Sequence, residues 1–318
     1  MTRFRLPILR VNLAVLATFF VCLLLAYGVG TLIPGAGQMT FTSARDSDQD
    51  IYLLDISRGL AFNLTHSVTN EWQAVWSPAG TQIAFVSDRD GNYDIFTLAV
   101  GCPGLFAPCP TRIQQITTNP GSDFDPAWSP DGQHIAFTSD RFGYAEIFVA
   151  DLKGSVPLRL TNNRVVDVNP AWSPDGKKIV FSSNSANPDD VDLYIMDADG
   201  GNPHRILEKM GNEFAPSFAP DGRHLVYGSY VGGSNRQLAI LDLQTQQSTL
   251  LLDDRGNDDT PTFSPDGQSL AFMSYVESSN SEIFTVRLDC AGTRAACARR
   301  LTFSRYMDIY PRWRPQSH

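Results

Sequence analysis

The chain has 318 residues, 42% of them hydrophobic and 19% charged, and a formal net charge of −9. Arg3, Arg5 and Arg10 precede every acid, so the body behind them sets 22 Lys and Arg against 34 Asp and Glu. Such an acidic body excludes nucleic-acid binding by phosphate neutralisation and favours cations or basic partner surfaces, and its length suits one large all-β domain or two ordinary ones.

Residues 1–10, "MTRFRLPILR", read as a basic cytoplasmic N-terminus. Residues 11–33 are apolar, broken only by Asn12, Thr18, Thr31 and a few glycines. As a helix the run spans about 34 Å, enough to cross a bilayer. Positive charge before it and none close after it predicts a single-pass anchor with the N-terminus inside. The competing reading is a cleaved signal peptide, with Ala26-Tyr27-Gly28 as a weak cleavage site. Either way the body is expected in the periplasm or outside the cell, after a short linker at 34–37. Beyond Cys22, the cysteines form two pairs with the same spacing, Cys102 with Cys109 and Cys290 with Cys297. They follow the similar strands "DIFTLAVGC" and "EIFTVRLDC". Two hairpin disulfides fit this spacing in an oxidising compartment; a metal site asks for closer pairs and His company.

From residue 38 onward the sequence repeats. A phrase of an aromatic, any residue, then Pro recurs at regular intervals, at Trp76, Trp128, Trp172, Phe218, Phe263 and Trp313, spaced by 52, 44, 46, 45 and 50 residues. Four copies continue as Pro-Asp-Gly, a tight turn. A short apolar strand follows, such as Ile135-Ala136-Phe137, then a Ser, a polar loop, and a strand opening with an apolar pair such as Ile147-Phe148. A weaker strand ends in Leu-Thr or Ile-Thr at Thr117, Thr161 and Thr302. Four short strands in about 45 residues is the signature of a propeller blade. Residues 38–65 hold a second, third and fourth strand without a first, and "DIYPRWRP" at 308–315 is a first strand alone. The fold predicted for 38–316 is therefore an all-β, six-bladed β-propeller, five blades internal and one closed by strands from both chain ends, behind one N-terminal transmembrane helix.

The units "PAWSPDGKKIVF" and "DLYIMDADGGNPHRI" resemble those of TolB-type propellers, an exported repeat family related in architecture to WD-type propellers. The resemblance covers about residues 38–315. It implies a protein- or peptide-binding module or scaffold. TolB carries a small α/β domain before its propeller, whereas an apolar helix and short spacer are expected here, so roles that depend on that domain do not carry over.

Five residues before each motif aromatic stands a carboxylate: Glu71, Asp123, Asp167, Glu213, Asp258 and Asp308. Pseudo-symmetry predicts a ring at one mouth of the channel. As a charged rim it would take a cation or a basic peptide; as structure it would accept backbone hydrogen bonds or pair with the next blade. Three residues before the aromatics stand Gln73, Asp125, Asn169, Ala215, Thr260 and Tyr310, a varied set suited to recognition. Pro126, Pro170, Pro216, Pro261 and Pro311 precede the aromatics by two, which suits a strand with one free edge. Trp72, Phe124 and Phe214 are aromatic candidates near the same mouth, for partner contact or for packing between blades. The channel-rim candidates are thus the six carboxylates with Trp72, Asp125 and Tyr310.

No pair of the five histidines has metal-ligand spacing, and no Gly-x-Ser-x-Gly elbow occurs, so no catalytic residue and no metal ligand is assigned. The loops Arg45–Asp50 and Asp88–Asp94 alternate acids as some Ca²⁺ loops do, and they stand against plain solvated hairpins. Asn63-Leu64-Thr65 matches a glycosylation sequon. The functional expectation is a membrane-anchored extracytoplasmic propeller that binds a protein or peptide with a basic surface and binds no nucleic acid. The alternative is a propeller enzyme of lyase or lactonase type using a channel metal.

Overall fold

The local logic starts at the Ser-Pro-Asp-Gly turn. In the second copy the Gly132 N–H donates to the Ser129 carbonyl at 2.9 Å, and the Ser129 hydroxyl donates to Asp131 at 2.5 Å. Gly132 sits at φ +67°, and a Cβ there would lie 3.6 Å from Pro78 of the preceding repeat. The turn therefore reverses the chain and packs against its neighbour with the same residues.

The computed structural model describes residues 37–100, 113–207, 211–230, 235–252, 256–275, 280–290 and 297–315. The expected anchor at 11–33, the linker up to residue 36 and the Cys102–Cys109 pair lie outside them. Among the described residues no helix is long and apolar enough to cross a membrane. The described residues form twenty-four strands in six four-stranded antiparallel sheets. Five sheets run in simple chain order from the inner strands Glu71–Trp76, Asp123–Trp128, Asp167–Trp172, Glu213–Phe218 and Asp258–Phe263. The sixth has Asp308–Trp313 as its inner strand, then Gln38–Ser43, Asp50–Asp55 and Leu60–Asn63. Each inner strand touches the next, and the last touches the first, so the ring closes with six blades as the repeat count predicts.

The core lies within and between blades. The third residue of each apolar triplet is buried in all six: Phe41, Phe85, Phe137, Phe181, Tyr227 and Phe272. Each such side chain contributes roughly 2 kcal/mol by leaving water. Five of them pair with an aromatic on the third strand at centroid distances of 5.5–6.0 Å. The motif aromatics act between blades, as their repeat position suggests. Trp128 is buried and donates its indole N–H to the Val75 carbonyl of the preceding blade at 3.2 Å.

Backbone bonds lock neighbours further. The Glu71, Asp123, Asp167 and Asp308 N–H groups donate to carbonyls of the previous blade at Gln49, Tyr93, Ala145 and Ser281, at 2.6–2.9 Å. The expected hairpin disulfide between Cys290 and Cys297 is formed, with Cα atoms 5.8 Å apart.

Candidate functional site: the central channel

Every inner strand breaks its register once. The shifts fall between Trp72 and Val75, Phe124 and Ala127, Val168 and Ala171, Phe214 and Ser217, Asp259 and Thr262, and opposite Thr40 and Thr42 in the closing blade. At each bulge one non-glycine residue is left-handed: Gln73, Asp125, Asn169, Ala215, Thr260 and Tyr310, at φ between +50° and +55°. This conformation costs roughly 1–2 kcal/mol per residue. Six identical outliers in symmetric positions are a built feature that re-aims side chains. Pro follows five of them, and its ring already steers the preceding residue away from the right-handed helical region.

These six residues line one level of the channel, and Val75, Ala127, Ala171, Ser217 and Arg312 line the next, around a cavity of about 110 Å³. Asp125 and Tyr310 thus face the channel. Trp72 is half-buried and packs edge-on against Tyr93 at 4.8 Å.

The six carboxylates do not form an exposed rim. Glu71, Asp123, Asp167, Glu213, Asp258 and Asp308 are all at most 1% exposed. Each begins its inner strand opposite a Ser or the equivalent end of the second strand, inside the blade wall, so its charge is answered there rather than displayed. In three blades a Ser-x-Arg sequence does this. Arg89 pairs with Glu71 at 2.9 Å, Arg141 with Asp123 at 3.1 Å and Arg45 with Asp308 at 2.6 Å. The same guanidinium groups lie over the blade's aromatic pair, Arg141 being 4.5 Å from the Phe148 centroid. Asp167 has no such arginine. Its donors include the Asn163 amide at 2.9 Å, and burial holds its carboxyl above the usual range.

A second buried acidic set was not read from the sequence: Asp50, Asp94, Glu146 and Glu282 open their third strands, and Asp192 stands two residues into its own. It explains the Leu-Thr and Ile-Thr endings. The Thr117 hydroxyl donates to Asp94 at 2.9 Å and accepts the Ile95 N–H at 2.9 Å. Thr65 and Thr302 repeat the arrangement with Asp50 and Glu282. Burial pushes the Asp94 carboxyl up to about 6, with the Thr117 bond opposing and the nearby Asp123 charge reinforcing the rise. Much of the acidic composition therefore lies inside the blades.

In the channel itself Asp125 stitches three blades together. It accepts from the Gln73 amide at 2.6 Å, the Thr138 hydroxyl at 3.0 Å and the Asn169 N–H at 3.2 Å, while its own N–H donates to Gln73 at 3.0 Å. Desolvation nonetheless holds its carboxyl above the usual range. Of the loops that resemble Ca²⁺ ligand strings, Asp46 and Asp50 accept from the Asn63 amide at 3.1 and 2.8 Å, and Asp88 accepts from Asn70 at 2.8–2.9 Å. The sequon asparagine is thereby engaged within its own blade. Among the described residues no group of three or more His, Cys, Asp or Glu converges in a metal-binding cluster.

One face of the ring differs from the other. The exposed aromatics among the described residues are Tyr93, Phe142, Tyr144, Tyr275, Phe303 and Tyr306. All six lie in loops at the end where inner strands begin and second strands finish. The Pro-Asp-Gly turns occupy the opposite end.

The family model of the Tricorn protease N-terminal β-propeller domain matches residues 110–262. A protein TolB homolog of Chlorobium luteolum is 34% identical over 156 residues, 36% of this chain and 34% of that protein. The crystal structure of TolB from Acinetobacter baumannii superposes with a TM-score of 0.75 at 22% identity, covering 98% of this chain and 74% of that one. The chain carries a TolB-like β-propeller. The matches span about a third of the length of the curated relatives. The fold is also similar to that of an oligogalacturonate lyase solved in complex with manganese, at a TM-score of 0.57, 16% identity, 83% of this chain and 73% of that one.

Proposed function

We propose that this protein is a docking module for a protein or peptide, held at a membrane through residues 11–33 and facing an oxidising, extracytoplasmic space. The observation that carries the reading is the clustering of the six exposed aromatics of the described residues on one end of the ring. Aromatic rings supply large contact area at low entropic cost and dominate binding hot spots. The Cys290–Cys297 bridge supports the compartment, since such bonds persist where thiols are not kept reduced. The partner's charge is not set by the six inner acids, because they are buried. A lyase-type reading would need metal ligands drawn together from several blades, and no observation on the described residues favours it.

The test compares faces. Tyr93→Ser with Tyr306→Ser on the aromatic end is set against Val156→Ser with Leu60→Ser on the other, all at exposed positions. Partners are crosslinked and captured from membranes. Loss of the same captured species only with the first pair supports the reading; equal capture by both pairs overturns it.

A further inference from the structure

Among the described residues the channel wall holds a cation, Arg312, whose fork is not filled. Arg312 belongs to the inner strand of the closing blade and occupies the position that is Val75, Ala127, Ala171, Ser217 and Thr262 in the others. Five blades offer a small or uncharged side chain there; the sixth offers a guanidinium. Its hydrogen bonds among the described residues run from Nη1 to the Pro311 carbonyl at 2.9 Å and, weakly, to the Thr260 carbonyl at 3.5 Å. No carboxylate of the described residues comes within ion-pair distance of it.

The nearby acids are already occupied. Asp125 is filled by Gln73, Thr138 and Asn169. Asp259 pairs with Arg236 and accepts the Thr260 N–H at 2.7 Å. Two further donors stand on the channel wall. The Thr260 hydroxyl is buried and makes no hydrogen bond among the described residues, and the Tyr310 side chain lines the same cavity. A guanidinium presents its donors in a flat fork matched to a carboxylate, and the half-buried Arg312 charge has no counter-ion within ion-pair distance among the described residues.

The geometry points to a binding site for a carboxylate in the channel, with Arg312 as the charged anchor and the Tyr310 and Thr260 hydroxyls as neighbouring donors. This is separate from docking on the aromatic face and does not depend on it. Burial also weakens the charged form of Arg312, an effect that a bound anion relieves. The cavity of about 110 Å³ holds several water-sized volumes, so a small organic acid or a peptide's carboxylate end fits, and a folded domain does not. Asp125 in the same channel disfavours a second negative charge, so monocarboxylates are preferred over dicarboxylates.

The experiment is calorimetric titration of the purified protein with acetate, succinate, a short acetylated peptide ending in a free carboxylate, and the same peptide amidated. Saturable binding of acetate identifies a free acid as sufficient. Saturable binding of the carboxylate peptide alone, absent for the amide, identifies a chain terminus as the source. In either case Arg312→Gln weakens binding about tenfold or more, Arg312→Lys restores part of it, and Tyr310→Phe weakens it several-fold. Tyr310→Phe removes a single hydroxyl and keeps the ring, so it decides the matter should Arg312→Gln fail to fold. No saturable binding of any carboxylate, or an affinity unchanged in Tyr310→Phe and Arg312→Gln, overturns the site.

Discussion

At the scale of single residues, the acids explain both the composition and the pH response. Asp94 is a buried carboxyl raised from 3.8 to about 6. Between about pH 4 and 6 the folded protein keeps a proton that the unfolded chain has released. This contribution to stability is therefore full at low pH and is lost as pH rises through that window. Urea midpoints at pH 4, 5, 6 and 7 are expected to fall more steeply for the native chain than for Asp94→Asn; parallel curves would contradict the assignment. Arg141 supplies a second case. It is the ion-pair partner of the fully buried Asp123, so Arg141→Met strands that charge and is expected to lower stability by about 3 kcal/mol or more. Adding Asp123→Asn to it should recover part of the loss, as a denaturant double-mutant cycle reads directly. The sequence showed the six inner acids as a pattern but not their burial. A carboxylate at the head of a strand reads as solvated unless its counter-charge is recognised, and Ser-x-Arg occurs in only three blades. Arg312 was equally visible, one residue before the last motif aromatic, yet it belongs to a column whose other members are uncharged.

At the scale of the element, the inner strand is where regular pairing and the channel conflict. Its limits and its neighbours were legible, because the aromatic-x-Pro phrase and the Pro-Asp-Gly turn fix where one strand stops and the next begins. The bulge was not, since its left-handed residue ranges from Gln to Thr to Tyr and no single residue type marks it. In the sequence the position of Pro reads as a sign of a free edge; in the fold it also sits directly after the left-handed residue in five blades. Ala215 isolates the backbone contribution, because its side chain borders the open channel. Ala215→Gly is expected to be neutral or stabilising by up to about 1 kcal/mol, as relief of the left-handed strain exceeds the entropy of glycine. Ala215→Val, β-branched at φ +50°, is expected to cost about 1–2 kcal/mol. Thermal denaturation of the two variants gives the comparison; a valine variant as stable as the glycine one would show the bulge to be relaxed.

At the scale of the whole molecule, closure depends on a strand contributed from the far end of the sequence. Gln38–Ser43 lies between Asp308–Trp313 and Asp50–Asp55 in one sheet. Arg314 seals the junction: it is buried, donates to the Gln38 side chain at 2.9 Å and the Gly80 carbonyl at 3.0 Å, and lies over the Trp76 ring. Six copies of one phrase made the blade number readable, and the incomplete units at 38–65 and 308–315 made the closure readable. A chain ending at Met307 loses the inner strand of that blade and bares the edge of Gln38–Ser43. It is expected to self-associate and bind a hydrophobic dye, as light scattering and fluorescence report; a monomeric ring without dye binding would show that five inner strands suffice.

The same arrangement has a mechanical side. Whatever holds the polypeptide ahead of residue 37 tugs first on a segment gripped along both margins, by its neighbour in sequence and by the chain's last strand. A pull along that segment must shear two ladders at once instead of unzipping one, so tension from a tether would be borne by the seam of the ring before any other blade yields.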